Sequence, residues 1–245
     1  MISALLDGGA LTASELALAA RITPQTASTH LAKLTEAGLL SVVPRGLHRQ
    51  FLLGPPPAGD LHDGILAVAL AKRTGAKLVS SADLARALQR QGYPEKQASY
   101  ETVGNIGGVI QTGDATVTMV PAVHSSDLNG PDAHLGGGNP VGFLIRVKGG
   151  PTVYHTGDTD VTLDMRQIPE RYGPVDYMLA CIGGHFTMDP AGAALAASYV
   201  QARTVVPMHF GTFPVIPGTP QELEAALKGR SKVQVLEAGK ATPLQ

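Results

Sequence analysis

The stretch VDYMLACIGGHFTMDPAGAALAASYV, residues 175–200, decides the reading of this chain. An apolar run of strand character breaks at two glycines and a histidine, and an alanine-rich helical run follows. Strand, polar loop and helix in that order form the repeating unit of an α/β sheet. The same order recurs on both sides. Downstream, TVVPMHFGTFP (204–214) is a strand that runs out at His209. Upstream, VGFLIRV (141–147) and PTVYHTGDTD (151–160) make a hairpin whose second strand runs into Asp158 and Asp160. Before it, ATVTMVPAVHSSD (115–127) runs into His124. Further out, ILAVALAKRTGA and SADLARALQRQG read as helices closed by Gly75 and Gly92, with KLVSS as a short strand between them. TPQELEAALKGR is a capped helix and KVQVLEAG a closing strand.

The recurrence carries more than any one element. A single histidine usually sits on a surface or in a hydrogen-bonded core, and GDTD alone is a turn. Here His124, Asp158 with Asp160, His185 and His209 each follow a separate apolar strand. Strand ends are where α/β scaffolds collect functional side chains. Imidazoles and carboxylates gathered at one edge suit a divalent ion such as zinc. His134, in a glycine-rich loop, is expected to be merely exposed, and His155 to point away from the loop.

The segments AKRTGA, VPAVHSSD, YHTGDTD, IGGHFTMDPAGAALA and TVVPMHFGTFPVI resemble the metallo-β-lactamase-fold hydrolases, in the branch related to ascorbate-phosphate lactonases. The resemblance covers about residues 65–240. It implies an αββα sandwich with a metal site at one edge and one or two ions, zinc or manganese. It places His124 on the first metal, His209 on the second, Asp158 between them as bridge and catalytic residue, and His185 beside the substrate. Such a site activates water against an ester, lactone or phosphoester. Ser125, Ser126, Thr159 and Asp160 are the candidates to orient the ligating groups.

The first fifty residues read differently. Thr12 or Ser14 caps a helix, Pro24 opens a second, Gly38 stops it, and LLSVV, PRG and LHRQFLL form a strand, turn and strand. Ala27, Leu31 and Leu34 share one face of the second helix. This resembles the winged helix-turn-helix of ArsR-type regulators over about residues 1–53. It implies that Gln25, Thr26, Ser28 and Thr29 lie near base edges of double-stranded DNA, and Lys33, Arg45 and Arg49 near phosphates. Arg21, Lys33, Arg45 and Arg49 against Asp7, Glu15 and Glu36 leave a net charge of only +1, so one copy binds weakly. The cysteine pairs of the family's metal sensors are absent.

GPPPAGDLHDG, residues 54–64, joins the halves. The hydrolase family carries H-x-H-x-D-H at this place. An ungapped count puts its last two positions on His62 and Asp63, in inverted order, and its two leading histidines on Ala58 and Asp60. The expectation is therefore a winged helix over 1–53, a proline-rich junction over 54–61, and over 62–245 a partial sandwich without its early strands. On this expectation both halves are trimmed at their N-terminal side relative to their families, as in a deletion that joined neighbouring reading frames or in an assembled chimaera.

Bulk properties agree with a folded chain. Its 245 residues are 44% hydrophobic with a net charge of −1, so no global charge marks a nucleic-acid or membrane partner. The single cysteine, Cys181, excludes a disulfide framework and fits a reducing, cytoplasmic setting. No basic leader precedes the first apolar residues and no run approaches a bilayer span. The reading is a metal-dependent hydrolase behind a DNA-binding module, with activity impaired by the lost box and a homodimeric state. The alternative is a regulator whose C-terminal part senses a ligand or holds a dimer.

Overall fold

A computed structural model of the chain describes residues 11–19, 22–36, 40–45, 48–53, 71–90, 92–126, 137–212, 214–237 and 242. The chain divides into two compact units. The first contains β1 (Leu11–Thr12), α1 (Ala13–Ala19), α2 (Pro24–Glu36), β2 (Leu40–Arg45) and β3 (His48–Leu53). The strands form a small antiparallel sheet in the order β1-β3-β2. Thr12, not Ser14, caps α1. Its hydroxyl accepts the Glu15 N–H at 3.3 Å while the Glu15 carboxylate accepts the Thr12 N–H at 2.7 Å. Thr23 caps α2 by accepting the Thr26 N–H, with Pro24 in the first helical position. Leu16, Ala27 and Leu31 are fully buried between these elements.

The second unit begins with β4 (Ser80–Ser81), α3 (Ala82–Arg90) and β5 (Val103–Gly104); β4 and β5 pair in parallel. Next come β6 (Val109–Thr112), β7 (Ala115–Pro121), β8 (Val141–Val147), β9 (Thr152–His155), α4 (Gln167–Tyr172), β10 (Tyr177–Cys181), α5 (Pro190–Tyr199), β11 (Thr204–Met208), α6 (Pro220–Leu227) and β12 (Lys232–Val233). One seven-stranded sheet takes the order β12-β11-β10-β9-β8-β7-β6. The expected strand at KVQVLEAG shortens to Lys232–Val233, and α4 and β6 appear where the sequence gave no clear period.

Register explains the core. Leu144 pairs with Tyr154, Tyr154 with Met178 and Met178 with Val205, so these four side chains line one face and all are fully buried. Ile168 of α4, Ala193 and Ala196 of α5, and Leu223 and Leu227 of α6 pack on that face. Each such leucine or methionine contributes about 1.5–3 kcal/mol of burial. Asp189 caps α5 by accepting the Gly192 N–H at 2.7 Å, and Thr219 with Glu222 forms a capping box on α6. Strands β7, β9, β10 and β11 all run the same way, because β8 is antiparallel to both β7 and β9, and β10 is parallel to both β9 and β11. Their C-terminal ends therefore open on one edge of the sheet. No helix among the described residues is long and apolar enough to cross a membrane.

Candidate metal centre

The four loops singled out in the sequence leave that shared edge. His124 follows β7, Asp158 follows β9, His185 follows β10 and His209 follows β11. The topology brings Asp158 and His209 together: Asp158 Oδ2 lies 3.4 Å from His209 Nε2. Both side chains are partly open, 43% and 30% exposed, so the pair is reachable from solvent. His209 Nδ1 is buried and has no hydrogen-bond partner among the described residues.

Backbone geometry marks the two histidines that close parallel strands. His185 and His209 both have φ of 54°, in the left-handed region that non-glycine residues seldom enter. Such conformations persist where the surroundings over-determine them, and they cluster at functional sites. The surroundings here are close-packed. A Cβ on Gly183 would collide with the His209 carbonyl oxygen and with Ile216, so only glycine lets the His185 and His209 loops meet. Gly157 has φ of 64° and approaches the Val141 carbonyl just as closely, which sets the entry to Asp158.

Thr159 is fully buried beside Asp158. Its hydroxyl accepts the Val123 N–H at 2.9 Å and donates to the Asp160 carbonyl at 2.7 Å. Its own carbonyl accepts the Met188 N–H at 2.9 Å and a contact from Cys181 Sγ at 3.5 Å. The Asp160 N–H returns to the Val123 carbonyl at 3.3 Å. The loops of His124, Asp158 and His185 are thus tied through one threonine. His155 does not point away from the loop as expected. Its Nδ1 accepts the Gly157 N–H at 3.1 Å, which requires that nitrogen to be unprotonated. Burial lowers its pKa, opposed by the nearby Asp158 charge.

His124 Nδ1 is hydrogen-bonded with the Ser125 carbonyl at 2.9 Å. His185 is exposed and stacks edge-on against Phe186 with ring centroids 4.4 Å apart. Among the described residues no three His, Cys, Asp or Glu side chains are grouped closely enough to hold an ion. His62 and Asp63 lie outside the described residues. The donor types at the edge fit a divalent ion, a carboxylate oxygen facing an imidazole nitrogen, but this pair is one short of the three protein ligands of a catalytic zinc. In the first unit Gln25, Thr26, Ser28 and Thr29 are all exposed on α2. Lys33, Arg45 and Arg49 stand on α2, β2 and β3, and their side chains lie outside the described residues.

A mixed sheet whose parallel strands deliver imidazoles and a carboxylate to one edge defines an α/β domain of the metallo-β-lactamase fold. Residues 61–210 match the family described as the beta-lactamase superfamily domain, and the chain belongs to it. Residues 1–43 match a helix-turn-helix domain. A UPF0173 metal-dependent hydrolase of Anaeromyxobacter dehalogenans strain 2CP-1 is 68% identical over 177 residues, 71% of this chain and 64% of that protein. One from Thermodesulfovibrio yellowstonii is 48% identical over 187 residues, 73% of this chain and 70% of that protein. The solved structure of Igni18, a metallo hydrolase from Ignicoccus hospitalis, is 35% identical with a TM-score of 0.59 over 71% of each chain. The chain spans 64% of the length of the Anaeromyxobacter relatives it matches.

Proposed function

We propose that the second unit is a metal-dependent hydrolase domain in which Asp158 and His209 hold a divalent ion, zinc or manganese. The observation that carries this reading is the 3.4 Å approach of Asp158 Oδ2 to His209 Nε2 at the edge where four strand ends open. His124, on the loop after β7, is the further donor assigned to it, since the H-x-H-x-D-H box is missing. When bound, the ion supplies Lewis acidity, making water nucleophilic near neutral pH and polarising the scissile group. Hydrolysis then adds water across an acyl–oxygen or phosphorus–oxygen bond, leaving an acid and an alcohol.

The chain's own residues orient this chemistry. Thr159 keeps the Asp158 and His124 loops in register, and Gly183 lets the His185 loop close on that of His209. His185, exposed on its strained turn, faces substrate. With the box altered, the site holds its ion less tightly than a full ligand set would, and turnover is correspondingly reduced.

Metal content per chain, measured after purification without chelators or a histidine tag, tests this reading. About one or two equivalents of zinc, manganese or iron, lost in Asp158→Ala, supports it. A cooperatively melting protein without metal, which takes up none from added zinc chloride, overturns it.

The helix-turn-helix match and the four exposed polar side chains of α2 favour a second role for the first unit, contact with double-stranded DNA. Its homodimeric form would double the weak charge of one copy. A slope in log K against log salt that flattens in Lys33→Ala/Arg45→Ala/Arg49→Ala, while Gln25→Ala/Ser28→Ala lowers affinity without changing it, is the expected result.

A further inference from the structure

The loops around the Asp158–His209 pair also carry information about what they meet. Val123 precedes His124 and is 59% exposed; Phe186 follows His185 and is 58% exposed. Leu163, on the segment leaving the Asp158 loop, is 71% exposed, and Val215, in the loop after His209, is 48% exposed. Each of the four loops at this edge thus presents a large apolar side chain to solvent. They are drawn together by the backbone bonds between Val123 and Asp160, between Met188 and Thr159, and between Gly211 and Ile216, and by the seat of Ile216 against Gly183. Single exposed apolar residues are ordinary, but here each of the four loops leaving one sheet edge carries one.

The charge of the same loops is one-sided. No lysine or arginine occurs in residues 115–145, 149–165, 172–202 or 204–227, which contain all four loops. Besides Asp158, which the hydrolase reading assigns to the ion, the carboxylates of Asp160, Asp164 and Asp189 stand there instead. Two of the flanking cations are engaged elsewhere: the Arg166 guanidinium lies 4.3 Å over the Tyr199 ring and Arg203 pairs with Asp176 at 2.8 Å. Sites that recognise phosphate or carboxylate place Arg, Lys or a nest of helix N–H groups against it. These loops offer an apolar rim with acidic groups.

Resting on the hydrolase reading above, we propose that the substrate is a neutral ester or lactone carrying an apolar alkyl or acyl chain, and not a phosphorylated compound. The tail lies against Phe186 and Val215, and the acyl carbon comes to the Asp158–His209 pair. Water adds at that carbon and the acyl C–O bond breaks. The released oxygen takes a proton to become an alcohol, and the acyl half leaves as a carboxylic acid.

Two unreactive probes with the same tail separate the head-group chemistry from turnover: 2-octanone, a neutral carbonyl, and octyl phosphate. Their binding to the full chain is measured by saturation-transfer NMR at physiological salt, with and without zinc chloride. The expected result is at least tenfold tighter binding of 2-octanone. Phe186→Ser should weaken it at least fivefold without lowering the melting temperature, since Phe186 is largely exposed. Tighter binding of octyl phosphate overturns the proposal. So does the absence of 2-octanone binding to the wild type, or binding that neither Phe186→Ser nor Val215→Ser alters. A protein that binds 2-octanone but takes up no metal would sink the hydrolase reading and leave the apolar mouth standing.

Discussion

The hydroxyl of Thr159 accepts the backbone N–H of Val123 at 2.9 Å, fastening the His124 loop to the Asp158 loop across a half-buried contact. Thr159→Val keeps the shape and removes the acceptor, leaving the Val123 N–H without its partner. A fully buried donor without a partner costs about 1–3 kcal/mol, and this half-buried one falls at or below the lower end of that range. Urea unfolding should show that loss, and amide exchange at Val123 should accelerate while Ala193–Ala197 of α5 stays protected. Thr159→Ser should restore most of both. Unchanged exchange at Val123 would show that the bond does not hold the loops.

Asp158→Ala removes the carboxylate from the only acid–imidazole pair formed at this edge among the described residues. Zinc affinity, read by titration calorimetry, should fall at least tenfold. Fold stability should change by less than about 1 kcal/mol, because exposed ion pairs contribute little. An affinity equal to wild type would place the ion elsewhere.

Gly183→Ala should be far more damaging than its size suggests. The added methyl meets the His209 carbonyl and Ile216, and neither is the free end of a flexible side chain. Overpacking of this kind costs about 1–3 kcal/mol. Thermal melting should report the loss, and zinc uptake should fall with it, since His209 must shift. Gly211→Ala, with nothing within 4 Å of the added atom, should be milder, its cost being its φ of 69° alone.

Stability should fall on the acid side through His155. Burial lowers its folded pKa below the ordinary 6.5, so the unfolded chain takes up the proton first. The stabilisation is complete above about pH 6.5 and is lost as the pH falls from there through the depressed folded value. The Gly157 N–H bond to Nδ1 is lost over the same range. Denaturant midpoints between pH 7.5 and 5 should decline in wild type and decline less in His155→Gln. Parallel declines in the two would assign the effect elsewhere.

Much of this arrangement was legible in the residues. The strands at 141–147, 204–208 and 177–181 announced themselves by apolar runs, and the helix at 220–227 by its Thr-Pro-x-Glu start. Helix α4 escaped notice because its six residues contain a proline and hold only Ile168 in the core. Thr159 was named as an orienting group, but its bonds to two other loops are long-range and leave no trace in local sequence. The same holds for His155, whose alternation in a strand said nothing of its bond back to Gly157.

By itself the sequence determined the strands and helices of clear period and the placing of His124, Asp158, His185 and His209 just beyond apolar strands. These follow from local periodicity, capping and turn chemistry, which act over a few residues. Only the tertiary structure decided which of the four residues meet. Parallel pairing of β9, β10 and β11 carries the last residue of each strand to one edge. The glycine contact at residue 183 and the Thr159 bonds then set how closely the loops approach. They bring Asp158 to His209, while His124 bonds with the neighbouring Ser125 carbonyl. Distances between side chains on separate strands depend on register and backbone angles summed over the whole sheet, and no short stretch of residues encodes that sum.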